Sequence, residues 1–204
     1  MWRAAFDGVR RVVYWPFALP DERVAEASHW LRDSLARQGI QAEVDAWPTL
    51  AGRTYAELET ADLLFVGGGT TSKLLGHICR FGFRDKVLEF IANGGRYYGG
   101  SAGAVIACDS IMIASLAGRD AAAATSPAAF GLVTDVTVLP HANTFARSDL
   151  HAWAHKLDQP ILAIPEAGGL HVRDDIWESI GPEGSLLVSD QGALFFEPGS
   201  RILV

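Results

Sequence analysis

The pattern of hydrophobic and polar positions predicts alternating strands and helices over the first two-thirds of the chain. Apolar residues at three- and four-residue intervals predict a helix over Asp21–Gln38, which Gly39 ends. Leu63–Val66 is apolar without alternation, as is typical of a parallel strand covered on both faces. The same criteria predict strands at Val9–Tyr14, Ile40–Val44, Arg96–Gly99, Val136–Leu139 and Ile161–Ile164, and helices near Ser72–Cys79, Arg84–Ala92, Ser101–Ala107 and Leu150–Leu157. This succession predicts an α/β fold, a three-layer sandwich with a mostly parallel, flavodoxin-like sheet.

The segment after residue 169 has a different pattern. Short apolar runs occur at Leu170–Val172, Ile176–Ile180, Ser185–Val188 and Ala193–Phe196. A Gly-Pro turn lies between the second and third runs, and a Pro-Gly turn follows the last. These runs predict a small antiparallel C-terminal extension at one edge of the main sheet. Because the chain has 204 residues and no low-complexity linker, we expect a single domain over residues 1–204.

Composition and charge exclude several classes of function. The formal net charge of −7 argues against a nucleic-acid partner, which requires a basic face. No apolar run is long enough to span a bilayer, and residues 1–20 lack the order of a signal peptide, so we expect a cytoplasmic protein without membrane contact. The two cysteines, Cys79 and Cys108, form no disulfide framework and are expected to be buried thiols.

The strand predicted at Arg96–Gly99 runs directly into the pentapeptide Gly99-Gly100-Ser101-Ala102-Gly103. This is the G-x-S-x-G nucleophile elbow, in the strand–turn–helix context that the motif requires. The glycines avoid collisions with the neighbouring strand and helix, and the N–H of Ala102 is the natural donor to an oxyanion formed at Ser101. The alternative is a glycine-rich turn that matches the motif by chance, since the chain has 21 glycines.

A serine nucleophile needs a base and an orienting acid. Of six histidines, His141 alone follows directly after a predicted core strand, so it is the preferred base. Glu166 follows the strand Ile161–Ile164 and is the preferred acid, although a solvated turn residue is the alternative. Asp135 is the rival acid, but it precedes its strand and is expected at the opposite end of the sheet.

A second loop rich in glycine follows the strand Leu63–Val66. Backbone without side chains can approach a substrate closely, so we expect Gly68, Gly69 and Thr70 to bind substrate, with the N–H of Gly69 as the second oxyanion donor. A phosphate-binding loop or a simple tight turn are the alternatives. The loop is not a P-loop, because no Gly-Lys-Ser/Thr follows at the required spacing.

Four segments together resemble the peptidase E, or aspartyl dipeptidase, family of serine peptidases, of which cyanophycinase is a relative. They are Gly67-Gly68-Gly69-Thr70-Thr71, Tyr98-Gly99-Gly100-Ser101-Ala102-Gly103-Ala104, Pro140-His141 and Ile164-Pro165-Glu166. The resemblance covers about Val12 to Val172. It implies a fold like the class I glutamine amidotransferase domain, a triad of Ser101, His141 and Glu166, and hydrolysis of dipeptides with an N-terminal aspartate without a metal.

The chain departs from that family at two places. Thr70-Thr71-Ser72 stands where the family has Asn-Thr-Phe, and 111–116 lacks the arginine and aspartate of the aspartyl-specific members. Met112 cannot bind an acidic side chain, so aspartyl specificity is not expected to transfer. Arg147 is either a ligand for a substrate carboxylate or a surface arginine.

We therefore expect a serine peptidase acting on short peptides, with neither cofactor nor metal, as a monomer or homodimer. His151 and His155 have helical spacing, but the glutamate of the metalloprotease motif is missing between them. Two other functions fit the residues: an amidase or esterase acting on a non-peptide acyl group, and a non-catalytic binding module on the same fold.

Overall fold

The computed structural model describes residues 5–126, 128–173 and 176–203. The chain divides into two compact units, one ending at Leu132 and the other beginning at Val133. The single-domain organisation of residues 1–204 remains a prediction. None of the helices in the described residues is long and apolar enough to cross a membrane.

The first unit is built on a parallel sheet of four strands in the order β2-β1-β3-β4. The strands are β1 (Arg11–Trp15), β2 (Glu43–Ala46), β3 (Leu63–Val66) and β4 (Arg96–Gly99). The helices are α1 (Asp21–Arg37), α2 (Tyr55–Leu58), α3 (Thr71–Arg80), α4 (Phe83–Ala92), α5 (Ala102–Val105) and α6 (Met112–Leu116), and a 3₁₀-helix covers Ala121–Thr125.

Helices cover both faces of this sheet because side chains along each strand alternate between them. Val12 and Tyr14 of β1 pack in one cluster with Leu31 of α1. Trp15 points to the other face, where its ring meets Phe83 of α4 at 5.7 Å between centroids, and it is fully buried. The three-layer α/β arrangement is therefore confirmed, and its interior is filled by large apolar side chains.

The second unit contains two further sheets. In the first, β5 (Thr137–Pro140) and β6 (Ile161–Ile164) are parallel neighbours, and β9 (Ser185–Ser189) and β10 (Gly192–Phe196) continue the sheet from β6 as antiparallel strands. In the second, β7 (Gly169–Arg173), β8 (Ile176–Ile180) and β11 (Arg201–Leu203) are antiparallel. Helix α7 (Arg147–Leu157) connects β5 to β6, and a 3₁₀-helix covers Ala142–Thr144.

The antiparallel C-terminal extension is confirmed, but it is divided between these two sheets. The prediction for Cys79 is wrong: it is exposed near the end of α3, whereas Cys108 is buried as expected. The helix predicted at Ser101–Ala107 is shorter and covers only Ala102–Val105.

Candidate active site

The register of β3 and β4 brings the glycine loop to the nucleophile turn. Val66 pairs with Gly99 at the carboxyl ends of these two parallel strands. Gly68 and Ser101 each lie two residues beyond that pair, so they meet. A Cβ atom on Gly68 would lie 3.0 Å from the Cβ of Ser101 and 3.5 Å from its Oγ. A side chain at Gly68 would therefore crowd Ser101.

Ser101 has a backbone conformation that L-residues rarely adopt, with φ 51° and ψ −110°. Such a conformation costs about 1–3 kcal/mol and persists only where neighbouring structure imposes it. Two glycines allow the backbone to pack closely around this turn. A Cβ atom on Gly99 would lie 2.5 Å from the carbonyl oxygen of Gly103, and one on Gly103 would lie 2.3 Å from that of Val66. The expectation that side chains at these positions would collide is confirmed.

Tyr97 supports the same turn, a role that the sequence does not reveal. Its hydroxyl donates to the carbonyl oxygen of Gly103 at 2.6 Å. Burial raises the pKa of Tyr97 well above its ordinary value, with a further contribution from Cys108. The hydroxyl therefore stays protonated at neutral pH and stabilises the turn through its hydrogen bond to Gly103.

The turn at Ser101 and the glycine loop each contain a backbone N–H group that is available as a donor. Within the residues that the structure describes, neither the N–H of Ala102 nor that of Gly69 donates a hydrogen bond to an acceptor. Gly69 has φ 137°, and a Cβ atom there would lie 2.2 Å from the carbonyl oxygen of Ala18. That same oxygen accepts the N–H of Thr70 at 3.0 Å, so the Thr70 N–H already has its partner. The carbonyl oxygen of Ala18 thus fixes the position of the glycine loop at Gly69 and Thr70.

His141 and Glu166 come together in the second unit by the same principle of aligned strand ends. Pro140 pairs with Ile164 at the carboxyl ends of β5 and β6. His141 follows Pro140 directly, and Glu166 lies two residues after Ile164. The Nδ1 of His141 and the Oε2 of Glu166 form a short hydrogen bond. His141 has φ 59°, and its carbonyl oxygen accepts the hydroxyl of Thr144 at 2.9 Å. The imidazole is thereby oriented through Nδ1, and Nε2 is its second ring nitrogen.

The other candidate acids and bases lie elsewhere. Asp135 precedes the amino end of β5, whereas His141 follows its carboxyl end. His151 and His155 contact Ser189 and Asp190 through their Nδ1 atoms, at 3.2 and 3.5 Å. In the described parts of the chain, no three His, Cys, Asp or Glu side chains cluster so that they could hold a metal ion.

His77 has a structural position in the first unit. Its Nε2 accepts the N–H of Leu50 at 3.0 Å, and its ring lies between those of Phe17 and Phe81. Burial lowers the pKa of His77, and the charges of Arg80 and Lys73 lower it further. The ring is therefore a neutral acceptor that tethers α3 to the loop after β2.

Arg147 is exposed at the first position of α7, and Met112 begins α6. The guanidinium of Arg147 is thus accessible to a ligand, and no contact with the residues that the structure describes assigns it a role. The side chain at Met112 offers no positive charge to an acidic substrate.

Asp120 connects a distant loop to the start of α3, and sequence reasoning assigns it no role. Its carboxylate accepts the N–H of Ser72 at 2.6 Å and the hydroxyl of Ser72 at 3.0 Å. Asp120 is buried, so these bonds are shielded from water. The carboxylate therefore caps the helix that follows the glycine loop, across 48 residues of sequence.

Comparison with known proteins identifies relatives of this arrangement. The model of peptidase family S51 matches residues 3–180. Peptidase E from Streptomyces coelicolor is 34% identical over 101 residues, which cover 50% of this chain and 40% of that protein. The aligned part of the chain thus spans about two-fifths of the length of that curated relative.

Two solved structures have similar folds. One, from Listeria monocytogenes EGD-e and classed with peptidase E, superposes with a TM-score of 0.67 at 25% identity, over 88% of this chain and 91% of the other. A peptidase from an acI-B1 actinobacterium superposes with a TM-score of 0.75 at 21% identity, over 95% and 83% of the two chains. The latter likeness concerns the fold alone.

Proposed function

The chain belongs to peptidase family S51, a family of serine peptidases, and we propose that it hydrolyses short peptides through an acyl-enzyme on Ser101. The observation that carries this proposal is the strained turn of Ser101, with φ 51°, between Gly99 and Gly103. A structure that needed only a tight turn would have a glycine at this position, since glycine adopts positive φ without strain. A serine held there at a cost in stability is typical of a functional residue.

The proposed mechanism assigns one task to each group. As the Oγ of Ser101 attacks the peptide carbonyl, the Nε2 of His141 takes the hydroxyl proton, and Glu166 accepts the Nδ1–H and stabilises the imidazolium. His141 then gives the proton to the leaving amine, the C–N bond breaks, and an ester with Ser101 remains. Water, deprotonated by His141, hydrolyses the ester and restores the serine hydroxyl.

The oxyanion of each tetrahedral intermediate would accept the N–H groups of Gly69 and Ala102. Support for this assignment comes from the lack of another acceptor on either group among the described residues. Donors of this kind are each worth roughly 3–4 kcal/mol in comparable sites. Gly68 and Thr70 would form the floor of the substrate site, beside Ser101.

The proposal makes no aspartate requirement for the substrate. Met112 provides no cation for an acidic side chain, while the exposed Arg147 is available for a substrate carboxylate. We therefore expect dipeptides with neutral side chains to be hydrolysed at least as well as Asp-X dipeptides. A reducing, cytoplasmic setting belongs to the same proposal and is supported by Cys79, whose exposed thiol forms no disulfide.

A fluorophosphonate probe tests the nucleophile directly. We expect one probe molecule per wild-type chain by intact mass, no labelling of Ser101→Ala, and labelling slowed by at least about a hundredfold in His141→Ala. Ser110→Ala is the matched control, because Ser110 is exposed and its hydroxyl accepts the N–H of Met112. Folded wild-type protein that does not label, or labelling that persists in Ser101→Ala, would contradict the proposal.

A dipeptide panel tests the substrate class. kcat/KM is compared for Asp-X and neutral X-X dipeptides, with the wild type and with Arg147→Met. If Arg147→Met raises KM and leaves kcat unchanged, the guanidinium binds a substrate carboxylate. If the probe labels Ser101 but no peptide is cleaved, the acyl substrate is not a peptide and the peptidase assignment fails.

A further inference from the structure

The edge strand β10 has features that natural sheets avoid at a free edge. It lies at the end of the order β10-β9-β6-β5, and β9 is its only strand partner within the described residues. Its sequence, Gly-Ala-Leu-Phe-Phe, contains no charge and no proline. Its pairing with β9 runs without a bulge from Gly192 to Phe196. Charges, prolines and bulges are the usual means by which an exposed edge is kept from pairing with another strand.

The side chains of this strand are unusually exposed for their type. Leu194 is 57% exposed and Phe195 is 55% exposed, the two highest values among the large hydrophobic residues that the structure describes. The two residues are adjacent in a strand, so they point to opposite faces of the sheet. Apolar surface is thus available on both sides of the same edge.

The geometry of the hairpin determines which backbone groups point outward. Only Asp190 and Gln191 separate Ser189 from Gly192, the pair that closes the β9–β10 hairpin. In two-residue hairpins the closing pair exchanges both of its hydrogen bonds, and hydrogen-bonded pairs then alternate along the ladder. Leu194 and Phe196 therefore direct their N–H and C=O groups to β9. Ala193 and Phe195 direct theirs away from the sheet.

We propose that β10 pairs with β10 of a second copy of this chain, antiparallel about a twofold axis that passes beside Leu194. In this register Ala193 lies opposite Phe195 of the second copy, and each pair exchanges two N–H···O=C bonds. The two symmetry-related pairs together make four hydrogen bonds. These bonds use all of the outward N–H and C=O groups of Ala193 and Phe195 in both copies. The two four-stranded sheets become one sheet of eight strands.

A second copy fits this edge because the edge is complementary to itself. The small side chain of Ala193 faces the large ring of Phe195 across the axis, and Leu194 meets its own counterpart. Beyond the strand, the same register sets Gln191 opposite Glu197, so no two carboxylates face each other. A register centred on Ala193 or on Phe195 would instead pair a strand residue with the turn at Gln191 or with Glu197. The interface depends on β10 alone and not on the proposed peptidase activity.

Disulfide trapping tests both the contact and its register. The background is Cys79→Ser, which removes the exposed thiol, while Cys108 is buried. Leu194 faces itself at a non-hydrogen-bonded position, where Cα atoms are about 4.5 Å apart, within the range of a disulfide. Leu194→Cys should therefore give a covalent dimer under mild oxidation, at twice the chain mass on a non-reducing gel.

Two further cysteine variants serve as controls. Ala193→Cys should not crosslink, because its counterpart is displaced by two residues and lies roughly 8 Å away. Ile176→Cys should not crosslink either, since Ile176 is 44% exposed but belongs to β8 of another sheet. Crosslinking of Ala193→Cys or Ile176→Cys as fast as Leu194→Cys would overturn the proposed register.

The second arm measures the equilibrium without a covalent bond. A small interface of this kind binds weakly, so the measurement needs a high protein concentration. Analytical ultracentrifugation at about 100 µM should then detect a wild-type dimer. Leu194→Lys sets two like charges directly opposite each other and should raise the dimer Kd at least about tenfold. Ala193→Lys should also weaken the dimer, and Ala193→Lys with Phe195→Glu should restore it, since the register sets the two positions opposite each other.

Ala193, Leu194 and Phe195 are all exposed and should tolerate polar residues. Circular dichroism and thermal unfolding check that each variant folds. A wild-type protein that stays monomeric at 100 µM would overturn the proposal. A dimer whose Kd is unchanged in Leu194→Lys would also overturn it, because the chains would then associate through another surface. Loss of probe labelling with the dimer intact would count against the proposed function and not against this interface.

Discussion

Gly99 and Gly103 lie against backbone atoms on either side of Ser101, and this packing gives the motif its physical meaning. Each glycine leaves room for a carbonyl oxygen that a Cβ atom would approach to 2.5 Å or less. Gly100 differs, since a Cβ atom there would have no contact closer than 3.9 Å. The two outer glycines are therefore required by packing, whereas the middle one is not.

The first prediction compares Gly103→Ala with Gly100→Ala. The Cβ of the first variant overlaps the carbonyl oxygen of Val66, so we expect a loss of about 1–3 kcal/mol in the free energy of unfolding. For a chain of this length that corresponds to a fall in Tm of several degrees, at about 2–4 °C per kcal/mol. Gly100→Ala should leave Tm nearly unchanged. Thermal unfolding of the two variants checks this, and equal effects would contradict the packing argument.

Some residues of the candidate site can be predicted from the sequence, and others cannot. The placement of His141 and Glu166 after strand ends can be predicted because the strand before each has a visible apolar pattern. Ser101 can be placed because its G-x-S-x-G motif follows a short predicted strand. Tyr97 and Asp120 cannot be predicted in this way. Their partners, Gly103 and Ser72, are specified by three-dimensional packing, and Asp120 lies 48 residues from Ser72.

At the scale of elements, α3 is held at both of its ends by contacts outside the helix. Asp120 accepts two bonds from Ser72 at its start, and His77 accepts the N–H of Leu50 in its last turn. Because α3 begins directly after Thr70, the cap also fixes the end of the glycine loop. Stability of this helix and geometry of the candidate site are thus linked.

The second prediction is a double-mutant cycle at the start of α3. Asp120→Ala removes both bonds and should cost about 1–2 kcal/mol, as loss of a helix cap does. Ser72→Ala removes only the hydroxyl bond and should cost about 0.5–1 kcal/mol. The double variant should be no less stable than Asp120→Ala alone, because the hydroxyl then has no carboxylate to bind.

Urea unfolding measures the cycle, and Asp33→Ala on the exposed face of α1 is the control for loss of one negative charge. That control should change the free energy of unfolding by less than about 0.5 kcal/mol. Strict additivity of Asp120→Ala and Ser72→Ala would show that the two residues do not act together.

Among the elements, those with a continuous apolar pattern are predicted with correct ends, such as β3 and β6. Helix α2 is not predicted, because it has only four residues and no apolar period. Its start does carry a signal, since Thr54 and Glu57 form a capping box of the T-x-x-E type. The short strand β11 has three residues and no alternation long enough to identify.

At the scale of the whole molecule, the strand order is the part that sequence patterns do not encode. The order β10-β9-β6-β5 sets β9 beside β6, although β7 and β8 lie between them in the chain. The division of the C-terminal strands between two sheets follows from that long-range pairing. Local periodicity identifies each strand but does not choose its neighbour.

The third prediction concerns the pH dependence of global stability and follows from His77. Its folded-state pKa is lowered, so between that value and about 6.5 the unfolded chain binds more protons than the folded one. The contribution of His77 is therefore complete above about pH 6.5 and is lost as the pH falls through the folded pKa. A protonated ring would direct an N–H at the N–H of Leu50.

His77→Gln keeps an acceptor for Leu50 and does not titrate. We expect the free energy of unfolding in urea to fall less steeply below pH 6.5 in this variant than in the wild type. His29→Gln is the matched control, because His29 is exposed on α1, and it should keep the wild-type slope. Equal slopes in His77→Gln and wild type would mean that α3 is not held through a neutral His77. The acid sensitivity of the molecule would then arise from its carboxylates, among them Asp62, whose pKa is lowered by the N–H groups of Arg10 and Arg11.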